Sequence, residues 1–415
     1  MGDLYRDPEL DALIGELNRD ADRDVPAAEG SVLPFERVAP DASFEAPPET
    51  APARRRIERD SPLGRLLERL IDRRGTDLHL VCGLPPVVRV DGTLRRSGDA
   101  PLGEDEISRL FAGTLDGPAR ARLAADGAVD FTLALEGAAG GAGRFRVNVH
   151  RERGRLAAAL RSLPSRIPTL GELNLPPSLA ELVEPHRGMV LVCGPTGSGK
   201  SSTLAALVGE INRRRACHVI TIEEPVEFVH PSAAAVVEHV EVGVDAPSFS
   251  AALRAALRQD PDVLLVGEMR DLESISIALT AAETGHLVLS TLHSHDVVQT
   301  VHRIVDVFPA AQQAQIRHQL SLALSAIVCQ QLVPRADRPG RLPALEVLTA
   351  THGVRHLIRQ QTPEKLIHEI ALGRRHGMVS FEASLARLVR EGKVDRDEAL
   401  ARTTRPDEFE QLLRS

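Results

Sequence analysis

No segment constrains this chain more than Gly194-Pro-Thr-Gly-Ser-Gly-Lys200-Ser201, a complete GxxxxGK[ST] motif. It lies between an apolar run, Met189–Cys193, and a helical pattern that begins at Lys200. That order of strand, loop and helix is the context the motif requires. Its glycines let backbone N–H groups close around phosphate oxygens, and the start of the helix adds its positive end. Gly194, Pro195, Thr196, Gly197, Ser198, Gly199, Lys200, Ser201 and Ser202 are therefore expected to bind ATP. Lys200 would reach the β- and γ-phosphates and Ser201 would ligate Mg2+. The chain has only two other lysines, Lys365 and Lys393, so a lysine at this position is not a background occurrence.

Two apolar runs near the loop end in carboxylates. Val263-Leu-Leu-Val-Gly-Glu268 has the form of a strand whose terminal acid holds the metal shell, and Val219-Ile-Thr-Ile-Glu223-Glu224 is a second. Apolar runs that alternate with helical stretches predict a parallel sheet covered on both faces. In such sheets the carboxyl ends of the strands converge on the ligand, so one of these glutamates is placed to orient or deprotonate a water. His286, His293, His295 and His302 form a histidine-rich run whose loose spacing, without a cysteine partner, does not suit zinc. A histidine at a strand end can instead sense a γ-phosphate. His295 and His302 fit a polar loop equally well.

The length of 415 residues predicts two or three domains. The four cysteines form no CxxC pair, the first residues do not read as a signal peptide, and the apolar stretch Ser321–Val333 is too short to span a bilayer. These features predict a cytoplasmic protein, and a net charge of −8 argues against nucleic acid as its partner. Residues 1–60 carry −7 of that charge together with seven prolines, and read as a disordered acidic tail. Within it Leu10, Leu13, Ile14 and Leu17 mark a short amphipathic helix. Residues 61–165 read as a small α/β domain with strands Asp77–Val81, Val87–Val90, Phe131–Leu135, Arg144–His150 and Arg155–Arg161. In the last two strands Arg144, Arg146 and Arg161 alternate with apolar residues, giving a cationic face that is either merely solvated or functional. A linker is expected at 166–177, the nucleotide domain at 178–335, and a helical region at 336–415 that contains the stripe Phe381, Leu385, Leu388, Val389.

An ordered series of motifs carries a resemblance. It runs through Thr76-Asp-Leu-His-Leu, Gly83-Leu-Pro-Pro with Arg89-Val-Asp-Gly, Arg144-Phe-Arg-Val-Asn and the loop at 194–201. It continues with Ile220-Thr-Ile-Glu-Glu-Pro-Val-Glu, Leu257-Arg-Gln-Asp-Pro-Asp with Gly267-Glu-Met-Arg-Asp, and Glu283-Thr-Gly-His with Thr291-Leu-His. From about Gly75 to Ala401 the chain resembles the secretion-ATPase superfamily of type II secretion and type IV pili, and within it the twitching-motility retraction ATPases. The resemblance implies a PAS-like N-terminal domain, a RecA-like P-loop motor domain and a hexameric ring that hydrolyses ATP with Mg2+. It implies that Glu223 is the catalytic glutamate, Glu268 the metal-shell acid, and His286 and His293 the histidine box. It also implies that Arg146 and Arg161 reach the nucleotide. The expected partners are other copies of the chain, an inner-membrane pilus platform protein and a paralogous ATPase.

Three positions depart from the family pattern. Glu224 stands where the family usually has Asp, His239-Val-Glu-Val-Gly243 lacks an expected arginine, and a C-terminal motif linked to retraction appears only as Leu357-Ile-Arg-Gln-Gln-Thr362. A pilus-assembly or type II secretion ATPase and a low-turnover nucleotide-gated scaffold therefore remain alternatives. The former usually carries a larger N-terminal region and a tetracysteine zinc insert.

Overall fold

The computed structural model describes residues 55–137, 143–269 and 271–414. The Leu10/Leu13/Ile14/Leu17 stripe lies outside them. The chain divides into two compact units, one running to Ile167 and including Pro225–Pro231, the other built from Pro168–Glu224 and Ser232–Ser415. No helix among the described residues is long and apolar enough to cross a membrane.

Among the described residues the N-terminal unit holds seven strands: β1 (Arg56–Ile57), β2 (Asp77–Val81), β3 (Val87–Val90), β4 (Thr93–Arg96), β5 (Ala128–Leu135), β6 (Arg144–Glu152) and β7 (Arg155–Ser162). They form one sheet in the order β1-β5-β6-β7-β2-β3-β4. Helix Pro62–Asp72 starts where the Ser61 hydroxyl accepts the Gly64 N–H. Its Leu63, Leu66, Leu67 and Leu70 are buried in one cluster with Leu78, Phe145 and Val147. Each such leucine stabilises by about 2 kcal/mol. The expected boundary at residue 60 moves, because Ile57 is buried and β1 pairs with β5. A two-residue strand is too short to show a period, so it is hidden at the end of an acidic tail.

The second unit contains β8 (Gly188–Cys193), β9 (His218–Glu223), β10 (Val236–Glu241), β11 (Val263–Val266), β12 (Leu287–Leu292), β13 (Leu324–Pro334) and β14 (Arg341–Thr349). The order is β10-β9-β11-β12-β8-β13-β14, parallel throughout except for β14 against β13. β8 and β12 are buried along their whole length, as expected of a sheet covered on both faces.

Two expected boundaries change here. Leu170 and Leu175, in the expected linker, are buried in the cluster that contains Val190, Leu207 and Val347, so 168–177 belongs to this unit. The helical region expected at 336–415 instead opens with β14, paired antiparallel to β13, which itself follows helix Ala310–Ala323. A boundary at 335 would cut that strand pair in half. A short apolar run reads alike as buried helix or buried strand, and only pairing with β8 decides it here.

A buried carboxyl ties the C-terminal helices to this sheet. Glu346, on β14, accepts the Val297 N–H at 2.8 Å and lies 3.7 Å from the Arg405 guanidinium. Arg405 in turn pairs with the fully buried Glu382 at 2.6 Å. Burial pushes the Glu346 carboxyl up to about 7, aided by Asp296 and Glu382 and opposed by the Val297 N–H and Arg405. A folded-state value above the unfolded one means that the native state holds this proton more tightly. Its contribution is full in acid and falls as pH rises from about 4.5 to about 7. Glu346→Gln should remove that loss, gaining on the wild type by roughly 3 kcal/mol between pH 5 and pH 8. Urea unfolding at the two pH values measures it, and a pH-independent difference would refute the assignment.

Candidate functional site

β8 runs without a break into the phosphate loop, and helix Lys200–Arg214 begins at its end. The loop is tied to the sheet where the Gly194 N–H donates to the Leu292 carbonyl at 3.3 Å. Gly194 and Gly199 have φ of 146° and 90°, the region that favours glycine. A Cβ on Gly194 would also overlap the Gln330 carbonyl oxygen. Lys200 is nearly buried, and its Nζ donates to the Gly194 and Pro195 carbonyls at 2.9 and 3.1 Å. The Ser198 hydroxyl is buried within the loop and has no hydrogen-bond partner among the described residues. A buried orphan hydroxyl costs free energy unless a ligand satisfies it. Together with the glycine conformations and the ammonium, it makes a cradle whose chemistry fits the phosphates of a nucleotide.

The acids and the histidine stand along the same edge of the sheet. Register places Ile222 of β9, Val266 of β11, Ser290 of β12 and Leu191 of β8 at one level. Glu223, Glu268 and His293 therefore follow from neighbouring strand ends, on the side where β8 opens into the loop. At about 4.8 Å per strand, β11 is roughly 10 Å and β9 roughly 14 Å from β8. The Glu268 carboxylate lies 3.7 Å from His293 Nε2, within ion-pair range when the ring is protonated. The Thr291 hydroxyl donates to the Gly267 carbonyl at 2.5 Å and locks the two strand ends together. Ser201 lies in the first turn of the helix that leaves the loop, where the motif places a metal ligand.

His286 is a correction. It precedes β12, its carbonyl accepts the Gly188 N–H at the start of β8, and its Nδ1 contacts the Ala281 carbonyl. It sits at the opposite edge of the sheet, roughly 20 Å from the loop by strand rise. Within one chain it does not line the phosphate loop. Two histidines seven residues apart look equivalent in sequence, yet a six-residue strand puts them at opposite ends.

Arg144 is a second correction. The alternation makes it a solvated neighbour of Arg146, but its side chain is buried and its guanidinium donates to the Val226 and Glu227 carbonyls. It holds the segment Pro225–Pro231 to the N-terminal sheet and is a structural residue. Arg146 and Arg161 do stand side by side, as direct partners across β6 and β7. Arg161 donates to the Asp77 carboxylate at 2.8 Å, while Arg146 lies 3.9 Å from Asp130 and stays half-exposed. Burial disfavours the charge on Asp77, but the Thr76 hydroxyl and Arg161 outweigh it and hold this carboxyl below its usual range. Asp77 is not among the residues that the sequence marks as a site, and the motif Thr76-Asp77 is the signal that points to it.

The fold and this edge of the sheet define a P-loop ATPase. A family model for type II/IV secretion system proteins matches residues 90–413, and the chain belongs to that family. It is 41% identical over 334 residues to the type IV pilus retraction ATPase PilT of Pseudomonas aeruginosa, covering 80% of this chain and 96% of that protein. It is 42% identical over 309 residues to a twitching motility protein of Neisseria gonorrhoeae, covering 74% and 82%. A crystal structure of the pilus retraction motor PilT with bound ADP is 40% identical, covers 85% of this chain and 99% of that one, and has a TM-score of 0.78.

Proposed function

We propose that this protein is a Mg2+-dependent, hexameric ATPase motor that powers type IV pilus retraction from the cytoplasmic side of the membrane. It would act on the inner-membrane platform protein, with a paralogous ATPase as a further partner. The observation that carries this reading is the row Glu223, Glu268, His293 beside the phosphate loop, in a chain similar to PilT over nearly that protein's full length. A PAS-like role for the N-terminal sheet belongs to the same proposal.

The bound nucleotide supplies the phosphoanhydride bond, and Mg2+, held by Ser201 and through water by Glu268, would neutralise charge on the phosphates. Lys200 and the loop N–H groups orient the phosphate chain. Glu223 accepts a proton from the attacking water. His293, beside Glu268, would sense the γ-phosphate.

Arg146 and Arg161 would add positive charge at the phosphates in the transition state. Alanine at either should cut turnover by about 10²-fold. Arg146→Ala should leave the melting temperature nearly unchanged, while Arg161→Ala also takes a partner from the buried Asp77 and should lower it modestly. Arg151, exposed on the opposite face of β6, serves as the control. Equal and mild effects at Arg146, Arg161 and Arg151 would leave the arginine face without a catalytic part.

Deleting the gene and scoring surface pili together with twitching tests the whole reading. Excess pili that do not retract support it, while loss of pili supports an assembly ATPase instead. Turnover of the purified protein separates either motor from a nucleotide-gated scaffold.

A further inference from the structure

β13 lies beside β8 in parallel, with Cys329 level with Cys193, so Gln330 stands next to Gly194, where the phosphate loop begins. Ala326 and Val328, four and two positions earlier on the same strand, share a buried cluster with Leu204 and Leu207 of helix Lys200–Arg214. Strand alternation turns Gln330 toward that same helix. A glutamine there interrupts an apolar row and is almost completely buried. A polar side chain in that position is costly unless both ends of its amide are satisfied.

Both ends are. Gln330 Nε2 donates to the Ser198 carbonyl at 2.5 Å, and Oε1 accepts the hydroxyl of the fully buried Thr203 at 2.8 Å. The same Nε2 would lie only 2.8 Å from a Cβ at Gly199, so this glycine is needed for contact as well as for conformation. In a trans peptide the C=O and N–H point in opposite directions. Tying the Ser198 carbonyl down toward β13 therefore turns the Gly199 N–H away from the sheet and into the mouth of the loop.

We propose that Gln330 is a positioning residue for nucleotide binding, which fixes the Ser198–Gly199 peptide so that the Gly199 N–H faces the phosphates. The inference rests on the ATPase reading above and adds a residue more than 100 positions away in sequence. A fan of N–H groups aimed at one point is disfavoured without an external restraint, and ordering it on binding would weaken affinity. Gln330 supplies the restraint from the sheet. The amide meets both partners at once, donating to the Ser198 carbonyl and accepting from the Thr203 hydroxyl.

The test uses full-length Gln330→Met, similar in length but unable to donate, and Thr203→Val, which releases the amide oxygen without altering β13. Binding is read with fluorescent N-methylanthraniloyl-ADP, and ATP hydrolysis with steady-state kinetics. Gln330→Met should raise the ADP Kd and the KM for ATP at least tenfold while changing kcat less than threefold. Thr203→Val should give a smaller shift in the same direction. A purely structural role would lower the folded, active fraction and hence apparent kcat at unchanged KM. Kd and KM within twofold of wild type in both variants, with circular dichroism unchanged, overturn the proposal. Should Gln330→Met fail to fold, the Thr203→Val result decides alone. If wild-type protein binds no ADP, the ATPase reading itself fails, a result distinct from a wild type that binds and variants that match it.

Discussion

Glu223→Gln is expected to bind ATP about as well as wild type and to hydrolyse it roughly 10³-fold more slowly. Its side chain leaves the end of β9, level with Gly267 and one residue short of Glu268 beyond the adjacent β11, on the edge where the loop opens. Glutamine keeps the size and the hydrogen-bonding capacity needed to place a water but cannot take its proton, and general-base catalysis contributes about 10²–10⁴-fold. Single-turnover hydrolysis beside equilibrium ATP binding separates the two effects. Three other carboxylates compete for the role. Glu224 follows directly, Glu241 is the direct partner of Glu223 across β10 and β9, and Glu268 lies one strand nearer the loop. Wild-type turnover in Glu223→Gln would transfer the assignment to one of them, with Glu268→Gln the next variant to make.

Lys200→Ala should weaken ADP and ATP binding at least about 10²-fold and leave turnover undetectable. A charge-assisted bond to phosphate contributes about 1.5–3 kcal/mol, which already accounts for most of that loss. A second effect adds to it. The Lys200 ammonium satisfies the Gly194 and Pro195 carbonyls, and alanine would leave two acceptors turned toward an incoming anion. Lys200→Arg is not expected to rescue, because the site is nearly closed around the ammonium and a planar guanidinium is bulkier. Titration with fluorescent ADP gives the loss directly, and near-normal affinity in Lys200→Ala would remove the loop from the nucleotide site.

Much of this was legible in the residue order because the signals are local. A glycine loop between an apolar strand and a helix needs no distant residue to be recognised, and a carboxylate that ends an apolar run marks a strand end wherever the sheet lies. The alternation in β6 and β7 placed Arg146 and Arg161 on a common face, and their pairing agrees with it. The errors have one origin. Arg144 shares that alternation yet is buried, since the segment Pro225–Pro231, more than eighty positions onward, packs on it. His286 shares a motif with His293 yet lies at the far end of β12. Periodicity tells which side of a strand a residue takes, not what covers that side.

Identity, composition and short-range spacing thus suffice for the phosphate loop, the acidic strand ends and the alternating units, since each depends on contacts within a few residues. The groups that hold those parts in place do not. Gln330 meets Ser198 and Thr203 only because β13 lies beside β8, and Glu346 reaches Val297 and Arg405 only because β14 lies beside β13. Strand order in a sheet is chosen by burying all the apolar faces at once, a global condition that no local window carries. The loop is written in eight consecutive residues, but its restraint comes from a strand whose neighbour is known only after folding.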